Sequence, residues 1–162
     1  MNELRVGLGV DAHAFADGVP LVLGGVEVPS SRGLAGHSDG DVIAHAVIDA
    51  VLGAAGSGDI GSLFPSGEGE GEWEGASSLD LLARAYERVR EAGFELVNAD
   101  CVLIGEEPRI AGLRDQMSAR LAGAMGVDAA RVTVRATTTD RLGFTGRGEG
   151  LAAQAVALLR AG

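Results

Sequence analysis

Asp11 and His13 stand two residues apart at the end of the apolar run Val6-Gly7-Leu8-Gly9-Val10, which reads as a strand. Side chains alternate with period two along a strand, so this carboxylate and imidazole point to the same side. His45 follows His37-Ser38-Asp39-Gly40-Asp41 inside a helical pattern and would complete an Asp-His-His set. Three protein ligands with one open position make a catalytic zinc site, whereas structural sites are closed by four. Oxygen and imidazole donors together suit zinc or a similar divalent ion. Asp41 and Asp49 lie at i−4 and i+4 from His45, and either could accept its free ring N–H, as carboxylates such as Asp49 do behind metal-bound histidines. The bland reading is that each histidine is an ordinary surface or core residue. A mononuclear iron oxygenase also uses two histidines and a carboxylate, but it leaves the C-terminal loop unexplained.

That loop runs from Ala136 through Thr137-Thr138-Thr139-Asp140-Arg141 to Gly143-Phe144-Thr145-Gly146-Arg147 and ends at Gly150. Hydroxyls, a carboxylate able to hold magnesium and an arginine among glycines suit a diphosphate cradle, because glycine permits close backbone approach and arginine offers a planar fork of donors. Its plain alternative is a strand end, a turn and a helix cap, with Arg147 a surface charge. Neither a Walker loop nor a dinucleotide-binding glycine fingerprint occurs. Pro108-Arg109, after Gly105-Glu106-Glu107, reads alone as an ordinary turn.

The elements that must position these groups fit one domain over residues 1–162. Strands are expected at Leu4 to Val10, in a hairpin or a bent strand about Gly24-Gly25, at Phe94 to Ile104 and at Arg131 to Thr137. Helices are expected at about Asp39 to Ala55 with Ser38 as N-cap, from Ser77 or Ser78 to Gly93, at Ile110 to Ala124 and at Leu151 to Leu159. The acidic, glycine-rich stretch from Ser66 to Ala76, with Trp73, reads as a mobile surface loop. The expected fold class is α+β, a mixed α/β sandwich of sheet and helices.

Bulk composition excludes several functions. A net charge of −10, with scattered basic residues, leaves no nucleic-acid footprint. Aromatics at 4% argue against base-stacking platforms. No apolar stretch approaches membrane-spanning length, and the single Cys101 rules out an internal disulfide. Met1 to Arg5 has neither a secretory nor a transit layout, so cytoplasmic residence is expected.

Four ordered motifs then carry a resemblance. Gly9-Val10-Asp11-Ala12-His13-Ala14-Phe15, Gly36-His37-Ser38-Asp39-Gly40-Asp41 with His45, Gly58-Asp59-Ile60-Gly61 with Leu63-Phe64-Pro65, and Ala136 through Gly150 together resemble the 2-C-methyl-D-erythritol 2,4-cyclodiphosphate synthases of the non-mevalonate isoprenoid pathway. The similarity runs from about Val6 to Leu159. It implies a cyclising phosphorus–oxygen lyase in which the substrate's 2-phosphate attacks its own β-phosphorus and expels CMP. It further implies a homotrimer around a β-lined central cavity, with active sites at subunit junctions.

On that resemblance, Asp11, His13 and His45 hold zinc, and His37 and Thr138 act on the transition state. Ser38 helps place the methylerythritol phosphate and Asp59 binds the sugar-like portion, with Ala12, Ile60, Gly61 and Phe64 as further substrate-binding residues. Gly105, Pro108, Arg109, Ile110 and Ala111, with Thr137, Thr138 and Thr139, frame the cytidine diphosphate from a neighbouring subunit. Asp140 helps hold magnesium or manganese on the diphosphate. Phe144 and Arg147 sit where the family lines a cavity for isoprenoid diphosphates. Three positions depart from the family pattern: Asp140 for Glu, Ser66 for Asp and Val10 for Phe. Two competing functions remain at this stage, a zinc nucleotide hydrolase using water and a non-enzymatic trimeric binding protein.

Overall fold

The computed structural model describes residues 3–36, 38–65 and 75–162. The expectations for His37, Ser66 and Trp73 lie outside the described residues. Strand β1 (Leu4–Asp17) continues well past its expected end, because its alternation does not stop at Val10. Gly7, Gly9, Asp11 and His13 turn inward, while Leu4, Val6, Leu8 and Val10 stay exposed on the other face. Next come β2 (Leu21–Leu23) and β3 (Val26–Val28), paired as the expected hairpin with both turn glycines at positive φ. The short β4 (Arg32–Leu34) pairs with the end of β1.

Helix α1 (Val42–Ala55) begins at Asp41, not at Ser38. Asp41 is fully buried and its carboxylate accepts from three backbone N–H groups: Ala44 at 3.0 Å, Gly24 at 2.8 Å and Gly25 at 2.7 Å. One side chain therefore caps the helix and pins the hairpin beside it, which a serine hydroxyl could not do. After α2 (Ile60–Leu63) and α3 (Ser78–Glu91) the chain enters β5 (Phe94–Ile104), which has the expected bounds. A 3₁₀ turn leads into α4 (Arg114–Met125), followed by β6 (Val132–Thr137) and the one-turn α5 (Gly143–Gly146).

The expected closing helix at Leu151 to Leu159 is instead most of β7 (Gly150–Ala161), which pairs antiparallel with β1 and β5. Leucine and alanine favour a helix locally, and a short apolar run gives no decisive period. Two neighbouring strands satisfy both edges of this segment, so tertiary pairing wins. The main sheet has the order β4-β1-β7-β5-β6, with β5 and β6 parallel.

Small residues let α1 lie close to this sheet. Gly7 pairs with Ala157, Gly9 with Ala155 and Asp11 with Ala153, giving a floor almost without side chains. Above it runs the stripe Ala46, Ala50 and Ala54, spaced one turn apart and buried. A Cβ on Gly7 or Gly9 would strike the carbonyl oxygens of Ala50 or Ala46, so only glycine fits. Leu82, Leu96, Met117 and Leu121 complete the core between sheet and helices. The result is a single-domain mixed α/β fold. No helix among the described residues is long and apolar enough to cross a membrane.

Candidate metal centre

The close approach of α1 to β1 brings His45 over the strand that carries Asp11 and His13. Asp11 Oδ2 lies 2.7 Å from His13 Nε2 and 3.1 Å from His45 Nδ1. The two ring nitrogens are 3.3 Å apart, with the rings edge to face. One donor atom from each residue thus converges on one point, all within 4.8 Å of one another. Burial pushes the Asp11 carboxyl up, but the hydrogen bond from His13 and the closeness of the His45 ring outweigh it and hold it at about 2. The same contact with Asp11 raises His13. Two imidazole nitrogens and a carboxylate oxygen turned toward each other fit a divalent cation, and the choice of donors suits zinc.

The far nitrogen of His45 meets neither of the expected carboxylates. Asp41 is occupied by the helix cap, and Asp49 accepts from Ile60 N at 2.7 Å, with burial raising its carboxyl. His45 Nε2 instead faces Ser78 Oγ at 2.9 Å and Ser38 Oγ at 3.0 Å. Ser78 opens α3, is fully buried, and donates its hydroxyl to Asp39. Sequence reasoning saw Ser78 only as a helix start and gave Asp39 no role. No local spacing could have found the pair, because they are 39 residues apart.

Other expected site residues have structural duties visible in the chain. Asp59 caps α2 in a reciprocal box with Ser62, its Oδ1 accepting from Ser62 N at 2.8 Å. Ile60 and Gly61 form that helix, and Phe64, buried, ends it. Ala12 is exposed on the side of β1 opposite Asp11 and His13.

A second group of expected residues gathers elsewhere. Gly105 N donates to Thr137 O at 3.0 Å, which joins the segment at 105–111 to the threonine run, and Ile110 is buried beneath it. Thr139 Oγ1 bonds Leu142 O at 2.7 Å and Thr145 Oγ1 at 2.9 Å. Asp140 and Arg141 both have positive φ, a left-handed conformation that costs non-glycine residues roughly 1–2 kcal/mol each. Gly146 packs against the Arg141 backbone, where a Cβ would collide. Arg32, Arg109, Arg141 and Arg147, scattered in sequence, line a cavity of about 420 Å³ with Phe15, Glu106 and Glu107. Arg32 stacks 4.1 Å over Phe15, while Arg147 pairs with Glu149 at 3.1 Å. Among the described residues, no hydrogen bond or ion pair links Thr137, Thr138, Asp140 or Arg147 to the Asp11–His13–His45 cluster. Three strand spacings, about 14 Å, separate β6 from β1 in the sheet order.

A family model described as the YgbB family matches residues 4–160. The 2-C-methyl-D-erythritol 2,4-cyclodiphosphate synthase of Rubrobacter xylanophilus is 59% identical over 162 residues, covering 98% of this chain and 96% of that one. Among solved structures, the bifunctional IspDF of Campylobacter jejuni matches with a TM-score of 0.94 at 42% identity; all of this chain is covered, and it spans 43% of that larger chain. The CDP complex of the Plasmodium falciparum IspF matches with a TM-score of 0.84 at 29% identity, covering 99% of this chain and 98% of that one.

Proposed function

The chain belongs to the YgbB family, and we propose that it converts 4-diphosphocytidyl-2-C-methyl-D-erythritol 2-phosphate to 2-C-methyl-D-erythritol 2,4-cyclodiphosphate with release of CMP. The observation that carries this reading is the convergence of Asp11, His13 and His45 in a chain 59% identical to a named cyclodiphosphate synthase. Those three residues would hold zinc, which when bound supplies a Lewis acid beside a phosphate oxygen. Asp140 would share in holding magnesium or manganese on the substrate's diphosphate.

The chain's own residues then have positioning work. The nucleophile is a phosphate already on the substrate, so no serine or cysteine nucleophile is required. Phosphoryl transfer of this kind depends mainly on alignment and on donors aimed at the developing charge. His37 and Thr138 are assigned that role, and Ser38 beside His45 is assigned to the methylerythritol phosphate. Asp59, Ile60, Gly61 and Phe64 are assigned to the sugar-like end. The 105–111 segment with Thr137 and Thr139 is assigned to the cytidine diphosphate; capture of CDP by the Plasmodium falciparum relative supports this.

The reading includes a cytoplasmic homotrimer. The exposed apolar face of β1, with Val6 70% and Leu8 63% accessible, supports burial against other copies. Phe144 and Arg147 are assigned to the central cavity and its isoprenoid diphosphate. Incubation with the cytidyl substrate, zinc and magnesium tests the function, with phosphorus NMR of the products. Cyclic diphosphate plus CMP is expected. A linear phosphate product would make the protein a hydrolase, and stoichiometric binding without CMP would make it a binding protein; either outcome overturns the proposal.

A further inference from the structure

We propose that Asp39 and Ser78 are a positioning pair that fixes the tautomer of His45, turning its Nδ1 lone pair toward Asp11 and His13. The inference rests on the metal-binding reading above but concerns residues that lie outside the ligand set. The argument is one of counting protons. Asp39 accepts from three donors: Ser78 N at 2.9 Å, Asp41 N at 3.1 Å and the Ser78 hydroxyl. A carboxylate only accepts, and a serine hydroxyl has one proton to give. Ser78 spends that proton on Asp39, so toward His45 Nε2, 2.9 Å away, its oxygen can only accept.

The neutral imidazole carries a single N–H. Held at Nε2 by Ser78, it leaves Nδ1 unprotonated, 3.1 Å from Asp11 Oδ2 and 3.3 Å from His13 Nε2. Asp11 Oδ2 and His45 Nδ1 are then both acceptors, and at that distance they repel unless a proton from His13 Nε2, or a cation in its place, lies among them. The pair therefore sets the ring in the form that a metal needs. Ser38 Oγ, also 3.0 Å from Nε2, has no carboxylate orienting it among the described residues and lies 3.4 Å from the Ser78 hydroxyl. Ser78 is fully buried at the first turn of α3 and cannot swing away, so it decides the balance.

The test uses the full chain. In metal-free protein labelled with ¹⁵N-histidine at mildly alkaline pH, two-bond proton–nitrogen NMR reads the His45 tautomer directly. Nε2–H is expected in the wild type, with Asp39→Asn shifting His45 toward Nδ1–H because an amide can donate to Ser78 and reverse its hydroxyl. Zinc affinity, measured by chelator competition, should fall about 10–100-fold in Asp39→Asn and Ser78→Ala, the usual range for groups that orient a ligand. Ser78→Thr, which keeps the hydroxyl, should recover it. If Ser78→Ala does not fold, Asp39→Asn carries the test alone. An Nδ1–H ring in the wild type, or unchanged tautomer and affinity in Asp39→Asn, overturns the inference. A wild type that binds no zinc yet carries Nε2–H supports the pair and sinks the functional reading instead.

Discussion

The metal corner and the C-terminal turn are built on opposite plans. Asp11, His13 and His45 come from β1 and α1, are held on the inner side of the sheet, and have every ring nitrogen of His45 engaged within the same chain. Thr137, Thr138, Asp140 and Arg147 are exposed, and the successive residues Asp140 and Arg141 are in left-handed backbone. Side chains of the turn bond mostly to one another, as Thr139 does to Thr145 and Arg147 to Glu149. One region is finished inside a single chain; the other presents its donors outward. That asymmetry is what a site shared between two copies requires, and it gives the proposed trimer a physical reason rather than a precedent.

The largest effect should separate the two regions by what they bind. Asp11→Asn is expected to lose both bound zinc and CMP release down to background, since it removes one of the three proposed ligands. Thr138→Ala should keep its zinc, measured by elemental analysis, while turnover falls about 10²–10³-fold as for a lost transition-state donor. Zinc loss in Thr138→Ala would mean that the turn supports the metal corner and that the two regions are not separable by what they bind.

Mixing those two defective variants sharpens the comparison. If each junction takes its metal corner from one subunit and its threonine from the next, random trimers of Asp11→Asn and Thr138→Ala chains regain about one site in four, and with them about a quarter of wild-type turnover. Co-refolded mixtures that stay inactive would confine each site to one chain.

Stability should divide along the same line. Asp41→Ala removes the cap of α1 and strands three backbone N–H groups around a fully buried side chain, for a loss of about 3–5 kcal/mol by urea denaturation. Thr138→Ala on the exposed turn should change stability by no more than about 0.5 kcal/mol. Equal losses would contradict the idea that only the metal corner is founded on the core.

How much of this was legible in the sequence follows the same division. Asp-x-His was readable because strand geometry alone puts i and i+2 on one side, and β1 is a strand from Leu4 onward. His45 needed only a helix passing nearby. The acceptors behind it were not readable: local spacing favoured Asp41 and Asp49, but both are drawn off by backbone N–H groups that only the folded chain brings near. Likewise β7 read as helix because Ala152, Ala153, Ala155 and Ala157 carry no period that distinguishes a strand. The smallness of Ala153, Ala155 and Ala157, which pair with Asp11, Gly9 and Gly7, was the informative property, and its meaning depends on the helix that lies above them.

That helix supplies the smallest and most specific test. Gly9 lies under the Ala46 carbonyl, and an added methyl there meets backbone, which cannot rotate aside. Gly9→Ala should therefore lift α1 from β1 and cost about 1–3 kcal/mol, the range for overpacking a close contact. The displacement acts on the metal corner before it acts on anything else, since Gly9 is two residues from Asp11 and Ala46 adjoins His45. Zinc affinity should fall in this variant although no ligand has changed, and CDP binding through the C-terminal turn should not. A Gly9→Ala protein destabilised as expected but with unaltered zinc affinity would mean that the metal corner moves independently of the helix–sheet contact beneath it.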